Sequence, residues 1–168
     1  CRRRRQNCTR GRNVRNRMGV GAGRARLSRR AIARAIDDSR RRLRTDYLDL
    51  YYLHLPDYAV PIEESLDAMS ELVKQGKVRH VASSNYSGWQ VVEMHAISQR
   101  AGYQAPHVSQ PMYNLLARGI EQEYLAMCKR FEVATVVYNP LAGGLLTGKH
   151  QPERPIPGIR FDANQMYL

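Results

Sequence analysis

No acidic residue occurs before Asp37, no tyrosine before Tyr47 and no lysine before Lys74. Each of these absences bears on what the chain can do. Cysteine is scarce and odd in number, at Cys1, Cys8 and Cys128, with no CxxC or Cys/His spacing. That excludes a disulfide scaffold and a zinc knuckle, and fits a reducing, cytoplasmic compartment. No apolar run approaches the roughly 20 residues that span a bilayer, and the N-terminus lacks the apolar stretch of a secretory signal. No GxGxxG follows the first strand pattern, which removes the main sequence support for a Rossmann dinucleotide fold. The chain begins with Cys1 rather than Met, which reads as a fragment, a processed product or an incomplete frame.

Positive charge, by contrast, is abundant, and it is localised. The 168 residues carry a formal net charge of +12. Twelve arginines fall within the first 30 positions, and the remaining 15 basic residues are matched by 15 acids. Ten of those twelve arginines lie in an arm, residues 1–26, whose Arg-Gly-Asn composition buries too little surface to offset its ordering entropy. Such an arm can neutralise phosphates or acidic lipid heads, or can be a disordered or mistranslated end. No aromatic residue interrupts it to stack on bases, which argues against a nucleic-acid partner.

From Leu27 the texture changes to that of a globular domain, residues 27–168. Ser28 is a candidate helix cap, followed by Ile32, Ala35, Ile36, Ser39 and Leu43 at helical spacing. Residues 47–53 then favour a strand that ends at His54. Pro61, Glu63 and Glu64 suit the first turn of a second helix, with Leu66, Met69, Leu72 and Val73 as its apolar stripe and Gly76 as its stop. The cycle repeats with a strand at 78–82 and a helix from Ser87 carrying Trp89, Val92, Met94 and Ile97. A third strand at 107–110 precedes a helix over 120–130, with Tyr124, Leu125 and Cys128 inward. A fourth strand is expected at 133–138. Strands alternating with helices every 25 to 30 residues predict βα units and a parallel sheet. Four units make either part of a closed barrel or a small open sheet, and periodicity alone does not choose between them.

Parallel α/β folds gather function at the carboxyl ends of their strands. Those ends here carry His54, then Ser84 and Asn85, then Gln110, then Tyr138 and Asn139. Each has an ordinary structural reading as turn, cap or anchor. Four polar tips on neighbouring strands nevertheless predict one shared cleft. After the last strand runs Pro140-Leu141-Ala142-Gly143-Gly144-Leu145-Leu146-Thr147-Gly148-Lys149. Glycines let backbone N–H groups approach an anion, and Lys149 can meet a phosphate. A Walker A loop is excluded, because His150 stands where its hydroxyl residue belongs.

The strings TDYLDLYYLHLPD, IEESLDAMSELVKQGKVRHVASSNYSGWQ, VSQPMYNLLARGIE and YNPLAGGLLTGK resemble, in this order and spacing, the aldo-keto reductase superfamily. The nearest likeness is to its bacterial branch akin to the potassium-channel β subunits. The resemblance runs from about Leu27 onward, with a weaker trace in residues 16–19. It implies a (β/α)₈ TIM barrel, present here as an incomplete barrel of about four βα units. It also implies NADP(H) as cofactor and a small carbonyl substrate, reduced from aldehyde or ketone to alcohol. By motif, His54 matches the family's catalytic His, which orients and polarises the carbonyl. Ser84, Asn85 and Gln110 match the residues that hold the nicotinamide carboxamide, and Tyr138 the ring stacked on the nicotinamide. Asn139, Pro140, Leu141, Ala142 and Gly143 match the loop over the pyrophosphate, Lys149 its basic contact, and Arg160 a later phosphate ligand. Asn139 replaces the family's usual Ser.

The family's Asp, Tyr and Lys, which precede the His strand and tune the proton donor, have no counterpart among residues 1–53. General-acid assistance of about 10²- to 10⁴-fold is therefore missing from these 168 residues. Two expectations follow. The complete protein is an NADP(H)-dependent oxidoreductase of which this chain is an inactive part; alternatively, the chain serves as a non-catalytic NADP(H)-binding interaction or regulatory subunit.

Overall fold

The computed structural model describes residues 27–149. The arm at 1–26 and Arg160 lie outside the described residues. Within them the order is α1 (Arg29–Leu43), β1 (Leu48–Leu53), α2 (Ile62–Lys74), β2 (Val78–Ser84), α3 (Gly88–Ala101), β3 (Val108–Gln110), α4 (Tyr124–Arg130) and β4 (Ala134–Thr135). The four strands form one parallel sheet in the order β1-β2-β3-β4. Consecutive parallel neighbours, each joined by a helical crossover, are the local topology of a TIM barrel. The fold is α/β, an incomplete barrel.

Local chemistry accounts for the element ends. The Ser28 hydroxyl accepts a hydrogen bond from the Ala31 N–H, 3.4 Å away, and caps α1. Pro61 precedes α2, where Glu63 and Glu64 face the positive end of the helix. Past the end of α2, Gly76 takes φ 69°, and Lys77 N–H returns to the Leu72 carbonyl at 3.0 Å. At the start of α3, Gln90 Oε1 accepts from the Ser87 backbone N–H (2.9 Å) and hydroxyl (3.0 Å), closing the first turn.

The register separates two faces. Tyr51 pairs with Val81, and Leu53 with Ser83, which pairs in turn with Ser109. All five are buried. Around this row pack Ile32 and Ile36 of α1, Leu66, Met69 and Leu72 of α2, Val91, Met94 and Ile97 of α3, and Cys128 of α4. Full burial stabilises by roughly 1.5–3 kcal/mol for each large aliphatic side chain. The alternate positions, including Ser84 and Gln110, share the opposite face, since side chains alternate along a strand.

Four expectations are corrected. Leu43 is about half exposed at the last position of α1. On α3 the buried apolar side chains are Val91, Met94 and Ile97, whereas Val92 is only half-buried and Trp89 is 64% exposed at the first turn. The helix expected over 120–130 divides into a 3₁₀ turn at Gly119–Glu121 and α4, which turns Leu125 outward. The fourth strand shrinks to Ala134–Thr135, although N–H groups of Ala134, Val136 and Tyr138 still reach the carbonyls of His107, Ser109 and Pro111 at 2.9–3.1 Å. That ladder carries Tyr138 to the tip of the sheet.

Candidate functional site

The sheet brings the polar tips together through one hydrogen-bonded chain. Ser84 extends β2 two residues beyond the expected strand and is buried, and its hydroxyl donates to the Gln110 carbonyl at 2.8 Å. Asn85 follows with φ 63°, a left-handed conformation that Asn tolerates better than most side chains. This turn directs its amide across the tips. Asn85 Nδ2 donates to the His54 carbonyl (2.9 Å) and to Ser84 Oγ (3.0 Å). Asn85 Oδ1 accepts from the Tyr138 hydroxyl at 2.7 Å. His54, Ser84, Asn85, Gln110 and Tyr138 therefore share one end of the sheet, spanning all four strand ends.

The Tyr138 ring crosses from the fourth strand toward the second, over the tip of β3. It is anchored at both ends, because its backbone N–H donates to Pro111 (3.1 Å) and its carbonyl accepts from Tyr113 N–H (3.3 Å). The Gln110 side-chain amide has no hydrogen-bond partner among the described residues, although its backbone carbonyl is engaged.

The loop after Tyr138 folds on itself. Asn139 takes φ 61°, and its Oδ1 accepts from Gly143 N–H at 2.6 Å. Ala142 N–H donates to the Asn139 carbonyl (2.9 Å), while Gly144 and Leu146 N–H groups both reach Leu141 (2.8 and 3.2 Å). Gly144 sits at φ 118°, which only glycine adopts without strain. Residues 142–147 thus form tight 3₁₀ turns rather than the open loop their composition suggests. The amides of Ala142, Gly143, Gly144 and Leu146 are consumed inside the turns. Pro140 and Leu141 are exposed at the corner, and Lys149 is exposed past Gly148.

One residue of the site escaped the sequence reading. Asn114 is buried; its Nδ2 donates to the Asn139 carbonyl (3.1 Å), and its Oδ1 accepts from the Leu116 and Ala117 N–H groups (2.9 and 3.0 Å). It ties the loop after β3 to the loop after β4. An Asn closing a Tyr-Asn pair between apolar segments was its only signal. Among the described residues no group of three metal-capable side chains occurs, and no helix is long and apolar enough to cross a membrane.

Comparison with known proteins places this arrangement. The profile of the aldo/keto reductase family matches residues 8–165, across every described residue and into the arm. Among relatives, aflatoxin B1 aldehyde reductase member 2 of Mus musculus is 41% identical over 123 residues, covering 73% of this chain and 34% of the relative. Aldo-keto reductase family 7 member A3 of Homo sapiens is 40% identical over 118 residues, 70% of this chain and 36% of the relative. Aldo-keto reductase YhdN of Bacillus subtilis is 39% identical over 131 residues, 78% of this chain and 38% of the relative. The chain spans about a third of the length of these curated relatives. With the family profile over nearly its whole length and four parallel βα units beneath it, the chain belongs to the aldo/keto reductase family.

Proposed function

We propose that the strand tips form the nicotinamide-holding side of an NADP(H)-dependent oxidoreductase site, and that the complete protein interconverts aldehydes or ketones and alcohols. The observation that carries this reading is the continuous contact from His54 through Asn85 to Tyr138, at the same sheet end as a Gln110 side-chain amide that has no partner among the described residues.

The residues fit the cofactor's polar end. A carboxamide offers one acceptor oxygen and two N–H donors. The Gln110 amide complements it in kind, and the Ser84 and Asn85 oxygens each retain a lone pair after their present bonds. The Tyr138 ring supplies a flat surface for stacking, and its bond to Asn85 sets the orientation of that surface. NADP(H), when bound, supplies or accepts the hydride. His54 stands at the tip of β1 beside the same amide and orients the carbonyl of the substrate. Lys149 and Arg160 neutralise phosphate charge, and residues 139–143 form the turn over the pyrophosphate. With its internal bonds already made, that turn acts as a rigid surface rather than a flexible cradle. We place the protein in a reducing cytoplasm, with residues 1–26 as an arm separate from the barrel segment 27–168.

By sequence, no tyrosine precedes Tyr47 and no lysine precedes Lys74, so the family's tuned tyrosine and lysine have no counterpart ahead of the His54 strand. The chain alone therefore binds NADP(H) without turning over, which also suits the alternative role of a non-catalytic regulatory subunit. The test is NADPH fluorescence titration of the full chain and of a version lacking residues 1–26, beside NADPH oxidation with an aldehyde panel. Saturable binding by both forms, weakened roughly 5- to 150-fold by Tyr138→Ala through lost stacking, is expected. Binding lost with the arm would assign it to the arginines instead. Steady turnover abolished by His54→Ala would contradict the inactive reading.

A further inference from the structure

Away from the strand tips, α3, the segment leading into β3 and the end of α4 enclose an open cleft of about 500 Å³. That is within the range of small-molecule sites. Its walls include His95 and Gln99 of α3, Tyr103, Gln104 and His107 of the connection, and Phe131. None of its lining residues is a carboxylate, a lysine or an arginine. A charged ligand would lose hydration there without gaining a counter-ion, so the cleft selects for neutral molecules.

Two observations define the hydrogen-bonding character of the wall. His95 Nε2 lies 3.0 Å from the Pro106 carbonyl. A carbonyl only accepts, so this nitrogen carries a proton. Burial, opposed by the bond to Pro106 and reinforced by the neighbouring His107, holds the His95 pKa below its ordinary value and so favours the neutral ring. In a neutral imidazole with Nε2 protonated, Nδ1 is a bare acceptor. The ring also packs against aromatic neighbours, its centroid 5.7 Å from Phe131 and 6.2 Å from His107.

The second observation concerns Ser98, three residues along α3 and so on the same helical face. It lines the cleft, is 2% exposed, and its hydroxyl has no hydrogen-bond partner among the described residues. Other buried helical serines behave differently: Ser39 donates to the Ala35 carbonyl at 2.7 Å and Ser70 to Leu66 at 2.8 Å. Ser98 makes no such back-bond. A hydroxyl left unsatisfied in the wall gains free energy from any acceptor toward which it can turn.

From this geometry we infer that the cleft is a binding site for a neutral phenolic ring. The ring lies against Phe131 and the two imidazoles, its hydroxyl donating to His95 Nδ1 and accepting from Ser98. A metal ion is the weaker occupant, since two imidazoles without a third metal-capable side chain make an incomplete set.

The test uses 4-methylphenol and toluene, identical in shape except for the hydroxyl, added to the full chain while the His95, His107 and Phe131 ring signals are followed by NMR. Both ligands are expected to produce saturable shifts, with 4-methylphenol binding about five- to tenfold tighter, as befits one added hydrogen bond. His95→Phe keeps a ring in the wall and abolishes that preference. Should this variant fail to fold, Ser98→Ala serves instead and reduces the preference in part. Equal affinity for the two ligands, no saturable shift at all, or ring shifts produced only by added Zn²⁺ would each overturn the inference. None of these outcomes depends on NADP(H) binding, so the strand-tip reading stands or falls separately.

Discussion

Replacing Asn85 with alanine removes the link that joins three strand ends. The wild-type side chain gives two hydrogen bonds, to the His54 carbonyl and Ser84 Oγ, and receives one from Tyr138. At about 0.5–1.5 kcal/mol net each, with the amide nitrogen sharing two of them, their loss amounts to about 2–3 kcal/mol. Alanine must also adopt φ 63°, which adds roughly 1 kcal/mol. The expected destabilisation is about 3–4 kcal/mol. Urea unfolding of the full chain, followed by circular dichroism, reads it as a fall in midpoint of about 1–4 M for slopes of about 1–3 kcal/mol/M. Asn85→Gly provides the internal control: it loses the same bonds yet accepts the backbone angle, so it is expected to be about 1 kcal/mol less damaging than alanine. A double-mutant cycle with Tyr138→Phe isolates the 2.7 Å bond, and its coupling is expected near 1 kcal/mol. If alanine and glycine are equally harmful, or if alanine costs under 1 kcal/mol, the tips are not held together as described.

Other perturbations probe the scaffold. Tyr124→Phe strips the buried Ser109 hydroxyl of its partner and is expected to cost about 1–3 kcal/mol in the same assay; a neutral result would mean the pair is not formed. Leu66→Ala opens a cavity where α2 meets the sheet and is expected to cost about 2–5 kcal/mol, whereas truncating the exposed Leu115 should change stability by less than about 0.5 kcal/mol. His95 predicts a pH dependence. Burial lowers its pKa in the folded chain, so the unfolded chain binds its proton first as pH falls. The stabilisation is complete above about pH 6.5 and fades as pH drops through the folded value. Stability should therefore decline from pH 7.5 to pH 5, and His95→Phe should flatten that decline; an unchanged slope would contradict this role of His95.

The alternation of helices and strands was legible because apolar spacing changes from helical to extended at residues 45–47 and again after each Gly or Pro break. The strand tips were legible too, since His54, Ser84, Gln110 and Tyr138 each follow an apolar run directly. What the pattern missed lay where tertiary contacts overrule local preference. Trp89 sits in the first turn of α3 and is largely exposed, which its apolarity alone does not show. Val136 and Val137 favour a strand, yet beyond β3 there is too little partner for a regular ladder, and both are partly exposed. The compact turns of the Gly-rich loop were not legible, because composition cannot show that the Asn139 side chain and Leu141 carbonyl capture its amides. Asn114 was missed for the same reason: a polar loop residue becomes structural only when its distant partner, the Asn139 carbonyl, is known.

The most direct measurement is an NMR titration of the isotopically labelled full chain with NADPH, observing side-chain amide signals. The Asn85 and Gln110 amides are expected to shift together and saturate near one equivalent, accompanied by the Tyr138 ring. Shifts confined to the arginines of residues 1–26, with the Gln110 amide unmoved, would contradict it.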